Sequence, residues 1–228
     1  MIDKLEKTGA AFITVDICGN NTIITSPGAN YKLTKKDIEL NKALILDCDI
    51  VVLQLEIPKE VVEYVINFSK NASKLIILNL SPFMNIEKRV LQKVDFLIVN
   101  EIEIKQLSGL AFDKNKIKIM LKEIRKFYKN NIIITLGEKG AVGINNNDEI
   151  FILPSYPVDK LDSTGAGDAF IGGFILGLIS GKDMKECINL GNAVGSISIT
   201  KLGAQGSLPT EQELSQFLKS YDWFYKSL

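Results

Sequence analysis

Residues 50–80 read IVVLQLEIPKEVVEYVINFSKNASKLIILNL, and this stretch contains the repeating unit of the fold. Two short apolar runs, Ile50 to Leu55 and Leu75 to Leu80, flank an amphipathic segment from Pro58 to about Asn71. Proline is tolerated at the first position of a helix, so this middle segment is predicted to be helical. Strand, helix and strand in that order predict a βαβ unit with parallel strands.

The same alternation continues along the chain. Two further apolar runs, Phe96 to Val99 and Ile132 to Leu136, are continuous, as is typical of strands buried on both faces. Helices are expected at Thr34 to about Leu46, Asn115 to Lys129, Ala166 to Ser180, Met184 to about Lys201 and Thr210 to about Ser220. The predicted fold class is therefore α/β with a mainly parallel sheet.

Two hairpins are predicted in addition to the parallel repeat. Ala11 to Cys18 and Thr22 to Ser26 read as strands around a glycine- and asparagine-rich turn, and this pair is expected to project from the main sheet. Ala141 to Asn145 and Glu149 to Leu153 read as a second pair around an asparagine-rich turn. No internal repeat or low-complexity linker interrupts the chain, so residues 1–228 are expected to form a single domain.

The composition argues against several classes of protein. The 27 Lys and Arg residues balance 27 Asp and Glu residues, so the net charge does not direct the chain toward nucleic acid or an anionic membrane. The longest mainly apolar stretch, Ala169 to Ile179, is shorter than the ~20 residues of a membrane span. The first four residues, Met1 to Lys4, lack the pattern of a secretory signal, so a cytoplasmic location is expected.

Histidine is absent, and the three cysteines, Cys18, Cys48 and Cys187, are widely spaced. These two facts exclude the Ser-His-Asp and Cys-His nucleophile systems and argue against a disulfide framework or a zinc site. Chemistry must therefore depend on carboxylates, amides, hydroxyls, lysines and backbone N–H groups.

The strongest local signal is the run DSTGAGDAF from Asp162 to Phe170, a glycine-rich loop that leads into an apolar helix. Glycines permit close approach of the backbone, and a helix N-terminus favours an anion such as phosphate. Asp168 at the mouth of such a site is suited to act as a general base on a hydroxyl that attacks phosphorus. The alternative is an ordinary helix start with a favourable first-turn acid. The run matches neither the Walker loop nor the dinucleotide fingerprint.

Four weaker signals lie elsewhere, each with a structural alternative. Asn100 to Glu103 follows an apolar run, where its oxygens suit magnesium through water, but the run is also typical of a solvated helix start. The glycines of Thr135 to Gly140 would let a nucleotide approach, or would form a tight turn. Glu56 could hold sugar hydroxyls, or could be an exposed acid before a helix. Gly203 to Pro209 is a loop whose carbonyls could face inward.

Taken in this order, the motifs resemble those of the PfkB-type carbohydrate kinase family, and most closely those of its ribokinase branch. The resemblance covers the chain from Thr8 onward and implies a ribokinase-like three-layer α/β fold with a partial β lid at residues 9–27. It rests on Leu53 to Glu56, Leu78 to Pro82, Asn100 to Glu103, Thr135 to Gly140, Asp162 to Asp168 and Gly203 to Pro209.

The resemblance also implies roles for individual residues. Asp168 is implied as the catalytic base that contacts the substrate hydroxyl, and Glu56 as a second contact to the sugar. Asn100 and Glu103 are implied to organise Mg²⁺. The implied anion hole is Gly165, Ala166 and Gly167. The implied nucleotide contacts are Asn100, Thr135, Gly137, Gly140 and Asn192. A potassium ion beside the anion hole is implied at Asp162, Thr164, Ser198, Lys201, Gly203 and Ser207, several of them through carbonyls.

The implied reaction transfers the γ-phosphoryl group of ATP to a primary hydroxyl of a sugar, with ribose as the expected acceptor. Three alternative acceptors are fructose, a nucleoside and a ketodeoxy sugar acid. ATP and a small sugar are the expected partners, without nucleic acid or membrane.

The chain departs from the family pattern at its beginning. Thr8 to Phe12 already resembles the second lid segment, whereas family members begin with a section that supplies sheet strands and much of the sugar grip. The chain is therefore expected to be the C-terminal part of the family domain. The alternative function is a catalytically impaired nucleotide-binding remnant. An unpaired sheet edge would favour a homodimer or other self-association.

Overall fold

The computed structural model describes residues 4–17, 21–111, 113 and 116–221 of the 228-residue chain. The strands in this part of the chain are β1 (Ala10–Val15), β2 (Asn21–Ser26), β3 (Ile50–Leu53), β4 (Leu75–Asn79), β5 (Phe96–Val99), β6 (Asn131–Thr135), β7 (Ala141–Ile144) and β8 (Ile150–Leu153). β1 and β2 form a separate two-stranded sheet, and the other strands form a six-stranded sheet in the order β3-β4-β5-β6-β7-β8. The predicted α/β class with a mainly parallel sheet is confirmed.

The parallel part of the sheet has a simple register. Ile50 of β3 pairs with Leu75 of β4, and Phe96 of β5 pairs with Asn131 of β6. The interior residues of β4, β5 and β6 are buried, because continuous apolar runs supply apolar side chains to both faces. β3 differs from the prediction: Val52 is 41% exposed, since β3 is the last strand at one end of the sheet order among the described residues.

The helices follow the predicted positions with local differences. Within the described residues they are α1 (Lys35–Leu40), α2 (Lys42–Asp47), α3 (Lys59–Asn71), α4 (Lys88–Leu91), α5 (Glu101–Ser108), α6 (Ile117–Arg125), α7 (Ala166–Ile179), α8 (Met184–Ser198) and α9 (Glu211–Ser220). The single helix expected from Thr34 is interrupted at Asn41, whose φ of −115° and ψ of 14° are not helical. In this part of the chain, no helix is both long and apolar enough to cross a membrane.

Both predicted hairpins are present. The turn between β7 and β8 is closed by the N–H of Asn145, which donates to the carbonyl of Glu149, and by the N–H of Asp148, which donates to Asn145. The turn expected between β1 and β2 at Gly19 and Asn20 lies outside the described residues, as do Cys18 and Asn115.

Internal contacts divide the chain into two compact units. The first unit comprises Met1–Ala11, Thr25–Ile134 and Ile144–Glu149, and the second comprises Phe12–Ile24, Thr135–Gly143 and Ile150–Leu228. The single domain expected from the sequence stays a prediction.

Arg125 ties together the loops at one end of the first unit. Its guanidinium donates to the carbonyls of Asn130 at 2.6 Å and Asn145, and it lies 2.8 Å from the carboxylate of Asp148. The side chain is almost completely buried, so these contacts provide the partners that a buried charge requires. Arg125 therefore joins the end of α6 to the turn before β8.

The second unit is built around the pair α7 and α8, which approach each other through glycines. A Cβ atom at Gly173 would lie 2.5 Å from the carbonyl oxygen of Leu190, and one at Gly177 would lie 2.8 Å from Cys187. A Cβ atom at Gly191 would lie 2.8 Å from the ring of Phe170. The two helices therefore meet at backbone distance, and this contact fixes the position of the start of α7.

Candidate active site

The start of α7 is shaped by Gly165. This residue precedes the helix with φ of +76°, a left-handed conformation that favours glycine, and a Cβ atom here would lie 3.2 Å from Cα of Ala204. The N–H of Ala169 donates to the carbonyl of Gly165 at 2.9 Å and closes the first turn. N–H groups of a first turn lack intrahelical acceptors, which suits an anion, but the N–H of Ala166 already donates to the carbonyl of Ser163 at 3.2 Å. The expected anion hole at Gly165, Ala166 and Gly167 stays a prediction.

Asp168 lies in the first turn of α7 and is exposed. The next residues, Ala169, Phe170 and Ile171, are buried and anchor the helix. The carboxylate is thus carried at the solvent-accessible start of a helix that these buried residues anchor. The expected role of Asp168 as the catalytic base stays a prediction.

Asp162 connects the segment before α7 with the loop after α8. Its carboxylate is buried and accepts from the N–H of Thr164 at 2.9 Å and from the N–H of Gly203 at 2.8 Å. The hydrogen bond from the Thr164 side chain, followed by those from the Gly203 and Thr164 backbones, lowers the pKa of Asp162 below its ordinary value. A permanent negative charge therefore lies just before the glycine-rich helix start.

The other residues expected around potassium lie in the same unit. Ser198 and Ser207 are completely buried, and their hydroxyls donate to the carbonyls of Gly195 and Ala204 at 2.8 and 2.7 Å. The ammonium of Lys201 lies 2.6 Å from the carboxylate of Glu213, so only its backbone carbonyl is available for the expected role.

The Thr135 to Gly140 motif forms a tight turn after β6. Gly137 and Gly140 have φ of +55° and +87°, and a Cβ atom at Gly140 would lie 2.1 Å from the carbonyl oxygen of Leu153. The N–H of Leu136 donates to the carbonyl of Gly140 at 2.8 Å. The tight-turn interpretation is therefore correct, and it is compatible with a nucleotide lying against this backbone.

Asn192 has a structural use of its own. It is buried on α8, and its amide group donates to the carbonyls of Leu153 and Pro154 at 3.2 and 3.0 Å. This side chain holds the segment that follows β8. Its expected contact to the nucleotide stays a prediction.

A cleft of about 300 Å³ lies beside the turn, within the second unit. The ammonium of Lys160 lies 3.4 Å from the carboxylate of Glu138 at this cleft. The lining residues are Glu138, Ser155, Tyr156, Pro157, Val158, Lys160 and Ile199. Residues 155–160 were not predicted from the sequence, because no motif marks them; the one signal for them is their position between β8 and Asp162.

Asn100 and Glu103 form a capping box at the start of α5, in the first unit. The side-chain oxygen of Asn100 accepts from the N–H of Glu103 at 3.0 Å, and the Glu103 carboxylate accepts from the N–H of Asn100 at 2.7 Å. Glu103 is 3% exposed, so the alternative prediction of a solvated helix start is wrong for this side chain. Burial raises the pKa of Glu103, and hydrogen bonds from Asn100 and Ser81 act in the opposite direction.

Glu56 also belongs to the first unit, where it is exposed in the bend after β3. The helix that follows, α3, begins at Lys59, and Pro58 is the residue directly before its first turn. Of the expected site residues, Asp162 contacts Thr164 and Gly203 directly. Gly165 packs against Ala204, which follows Gly203, and Asn100 and Glu103 form a separate pair.

A glycine-rich helix start that carries a carboxylate, on an α/β scaffold, is suited to phosphoryl transfer. The family model described as "pfkB family carbohydrate kinase" matches residues 1–211, so the chain belongs to this family and is a kinase.

Individual relatives are similar over most of the chain. A ribokinase from Haemophilus influenzae is 34% identical over 217 residues, which cover 94% of this chain and 70% of that protein. A deoxyribokinase from Salmonella typhi is 32% identical over 213 residues, 92% of this chain and 69% of the relative. The structure of an Arabidopsis thaliana ribokinase in complex with ribose and ATP has a TM-score of 0.83 and 28% identity, with 94% of this chain and 70% of that chain covered. These relatives support a sugar kinase.

Proposed function

We propose that this kinase transfers the γ-phosphoryl group of ATP to a primary hydroxyl of ribose, with Asp168 as the general base. The observation that carries the proposal is the start of α7, where Gly165 permits a left-handed entry and the exposed Asp168 is followed directly by the buried residues Ala169 to Ile171. In the proposed step, the hydroxyl oxygen attacks phosphorus and its proton passes to the Asp168 carboxylate as the bond to the leaving ADP breaks.

The backbone at Gly165, Ala166 and Gly167 stabilises the charge on the transferred group in this proposal. Oriented N–H groups act without reorganisation when charge develops, and the loss of a single such donor costs about 10²–10³-fold in rate in comparable sites. The close packing between Gly165 and Ala204 supports the role, because it keeps the helix start in one position.

A monovalent cation fits the residues beside this helix start. A buried carboxylate at Asp162, buried hydroxyls at Ser198 and Ser207, and a loop that turns at Gly203 with φ of +84° provide oxygen donors. Among the described residues, no group of three or more acidic, cysteine or histidine side chains could hold a metal ion, so most donors here would be carbonyls, which also coordinate potassium in channel filters.

Magnesium fits Asn100 and Glu103 only through water. Both side chains already exchange hydrogen bonds with each other, and the Asn100 amide donates to Glu103 at 2.9 Å. Mg²⁺ keeps several water molecules in most nucleotide sites, and the buried Glu103 carboxylate can accept hydrogen bonds from them. When bound, the ion would neutralise charge on the phosphates.

The nucleotide is proposed to lie against the turn at Gly137 and Gly140, with its base in the neighbouring cleft. The absence of a Cβ atom at Gly137 and the cleft wall at Tyr156 and Val158 support this position. Thr135 ends β6 at the entrance to the turn.

Ribose is proposed as the acceptor because two of the similar proteins described above are ribokinases. The similar deoxyribokinase makes 2-deoxyribose the main competing sugar. The exposed carboxylate of Glu56 is proposed to accept hydrogen bonds from sugar hydroxyls.

The test measures ADP release with ribose, 2-deoxyribose, fructose, a nucleoside and a ketodeoxy sugar acid, together with ATP affinity by calorimetry. Asp168→Asn should lower kcat by about 10²–10⁴-fold while the Kd for ATP changes little. Glu211→Gln is the matched control, because Glu211 is also a first-turn acid, on α9, and has no proposed role. ATP binding without turnover of any of these sugars would instead support the impaired remnant.

We also propose that the chain forms a homodimer through the sheet of β1 and β2. Phe12, Ile23 and Ile24 are 68%, 48% and 69% exposed on this sheet. Ile23 and Ile24 are consecutive on β2 and so lie on opposite faces of the sheet, and exposed apolar side chains on a sheet are typical of an interaction surface. Sedimentation velocity should show a dimer, and Phe12→Ser together with Ile24→Ser should shift it to monomer. A monomer at every concentration would refute the proposal.

A further inference from the structure

Glu213 at the start of α9 binds two partners that lie nine residues apart in sequence. One carboxylate oxygen lies 2.6 Å from the ammonium of Lys201, and the other accepts from the N–H of Thr210 at 2.7 Å and from its hydroxyl at 3.1 Å. Because Lys201 and Thr210 stand at the two ends of the 202–209 loop, this one side chain holds both ends of the loop together.

The 202–209 loop contacts the helix start at two points. The N–H of Gly203 donates to the buried carboxylate of Asp162. The backbone of Ala204 packs against Gly165, because a Cβ atom at Gly165 would lie only 3.2 Å from Cα of Ala204. A shift of the loop would therefore move one wall of the anion hole and one partner of Asp162.

The loop has no helix or strand of its own, so its shape depends on its anchors. Inside it, the buried hydroxyl of Ser207 donates to the carbonyl of Ala204 at 2.7 Å. At its end, Glu213 provides a charge-assisted anchor, which is stronger than a neutral hydrogen bond. Without that charge, the two ends would be free to separate and the conformational entropy of the loop would rise.

We propose that Glu213 is a positioning residue of the anion hole, which acts through Lys201 and the 202–209 loop on Gly165. The inference deepens the proposed kinase function and rests on it. In this proposal Glu213 acts only through its contacts with Lys201 and Thr210, which set where the loop backbone lies.

The chain contains a matched control for this arrangement. At the start of α8, Glu186 accepts from the N–H of Asp183 at 3.2 Å in a capping box, and it also lies 3.0 Å from the ammonium of Lys182. Like Glu213, Glu186 therefore combines a helix cap with a lysine partner. Lys182 directly precedes the cap residue Asp183, however, so the Glu186 side chain does not hold the two ends of a loop together. Glu186→Gln therefore removes the same chemistry without a link to the anion hole.

The experiment compares Glu213→Gln, Lys201→Met, Lys201→Arg and Glu186→Gln in the full chain. Glutamine can still accept from Thr210, so α9 keeps its cap and folding is preserved. Hydrogen exchange at the Gly203 N–H should become about 2–5-fold faster in Glu213→Gln and Lys201→Met, because the ion pair is partly exposed. The same N–H should be unchanged in Glu186→Gln and close to unchanged in Lys201→Arg, which keeps the charge.

The kinetic readout separates positioning from general stability. In Glu213→Gln and Lys201→Met, kcat should fall about 2–5-fold with the KM for ATP nearly constant, because the ion pair that positions the loop is partly exposed. Equal kcat in Glu213→Gln and Glu186→Gln would overturn the proposal, as would unchanged exchange at Gly203. If the unaltered chain turns over no sugar, the proposed kinase function fails, whereas the exchange measurement still decides whether Glu213 positions the loop.

Discussion

The contact between α7 and α8 predicts opposite effects for two adjacent substitutions. A Cβ atom at Gly173 would lie 2.5 Å from the carbonyl oxygen of Leu190 and 2.9 Å from a methyl group of Val194, whereas one at Gly172 would have no neighbour within 4 Å. Alanine gains ~1 kcal/mol over glycine inside a helix, and Gly172→Ala should realise most of this gain. Gly173→Ala receives the same gain but must also force two helix backbones apart.

The net effect for Gly173→Ala follows from the size of that clash. Ordinary contact begins near 3.4 Å, so the helices would have to separate by about 0.9 Å or distort. Overpacking of this kind costs ~1–3 kcal/mol or more, so the variant should lose up to ~2 kcal/mol after the helix gain.

Thermal unfolding followed by circular dichroism provides the comparison. For a chain of this size each kcal/mol moves the Tm by about 2–4 °C, so the Tm of Gly172→Ala should rise by up to ~4 °C and that of Gly173→Ala should fall by up to ~8 °C. A Gly173→Ala protein as stable as the Gly172→Ala protein would refute the interpretation that the two backbones are in direct contact.

Three further predictions concern single side chains. Burial raises the pKa of Cys187 to about 11, so in a background without Cys18 its thiol should react with a disulfide reagent at pH 8 far more slowly than that of Cys48, and equal rates would contradict its burial. Arg125→Met should lower the free energy of unfolding by ~1–3 kcal/mol in urea, because buried carbonyls lose their charged donor, whereas Lys126→Met should change it by less than ~1 kcal/mol. Hydrogen bonds from Lys201 first, and then from Thr210, lower the pKa of Glu213 to about 2. Because this pKa is depressed in the folded state, the ionised carboxylate stabilises the fold above its ordinary pKa of 4.5, and this stabilisation is lost as the pH falls toward 2. A carboxyl NMR titration of Glu213 with a midpoint near 4.5 would disprove the ion pair.

The sequence predicted the parallel strands well, because continuous apolar runs are required wherever both faces of a sheet are covered. β5 has the predicted limits of Phe96 and Val99, β4 ends one residue earlier than predicted, and β6 both begins and ends one residue earlier than predicted. The exposure of Val52 on β3 was not predictable, because it depends on the position of the strand in the sheet and not on its own composition.

The candidate site was predictable as a set of motifs but not as a set of contacts. The Asp162 to Asp168 run indicated the helix start correctly, because glycine at Gly165 and an apolar continuation are local properties. The burial of Glu103 and the link from Lys201 to Glu213 depend on residues that lie far apart or on packing, which a local pattern does not encode.

The glycine contacts between α7 and α8 also limit how this enzyme can change. A layer of leucine or isoleucine side chains between helices can absorb a mutation by adopting new rotamers, and so provides many routes to small adjustments. Two backbones in contact at Gly173 and Gly177 offer no such freedom. Natural or laboratory evolution of acceptor choice should therefore proceed through loops and surface positions, while the helix that carries Asp168 keeps its geometry across variants with different specificities.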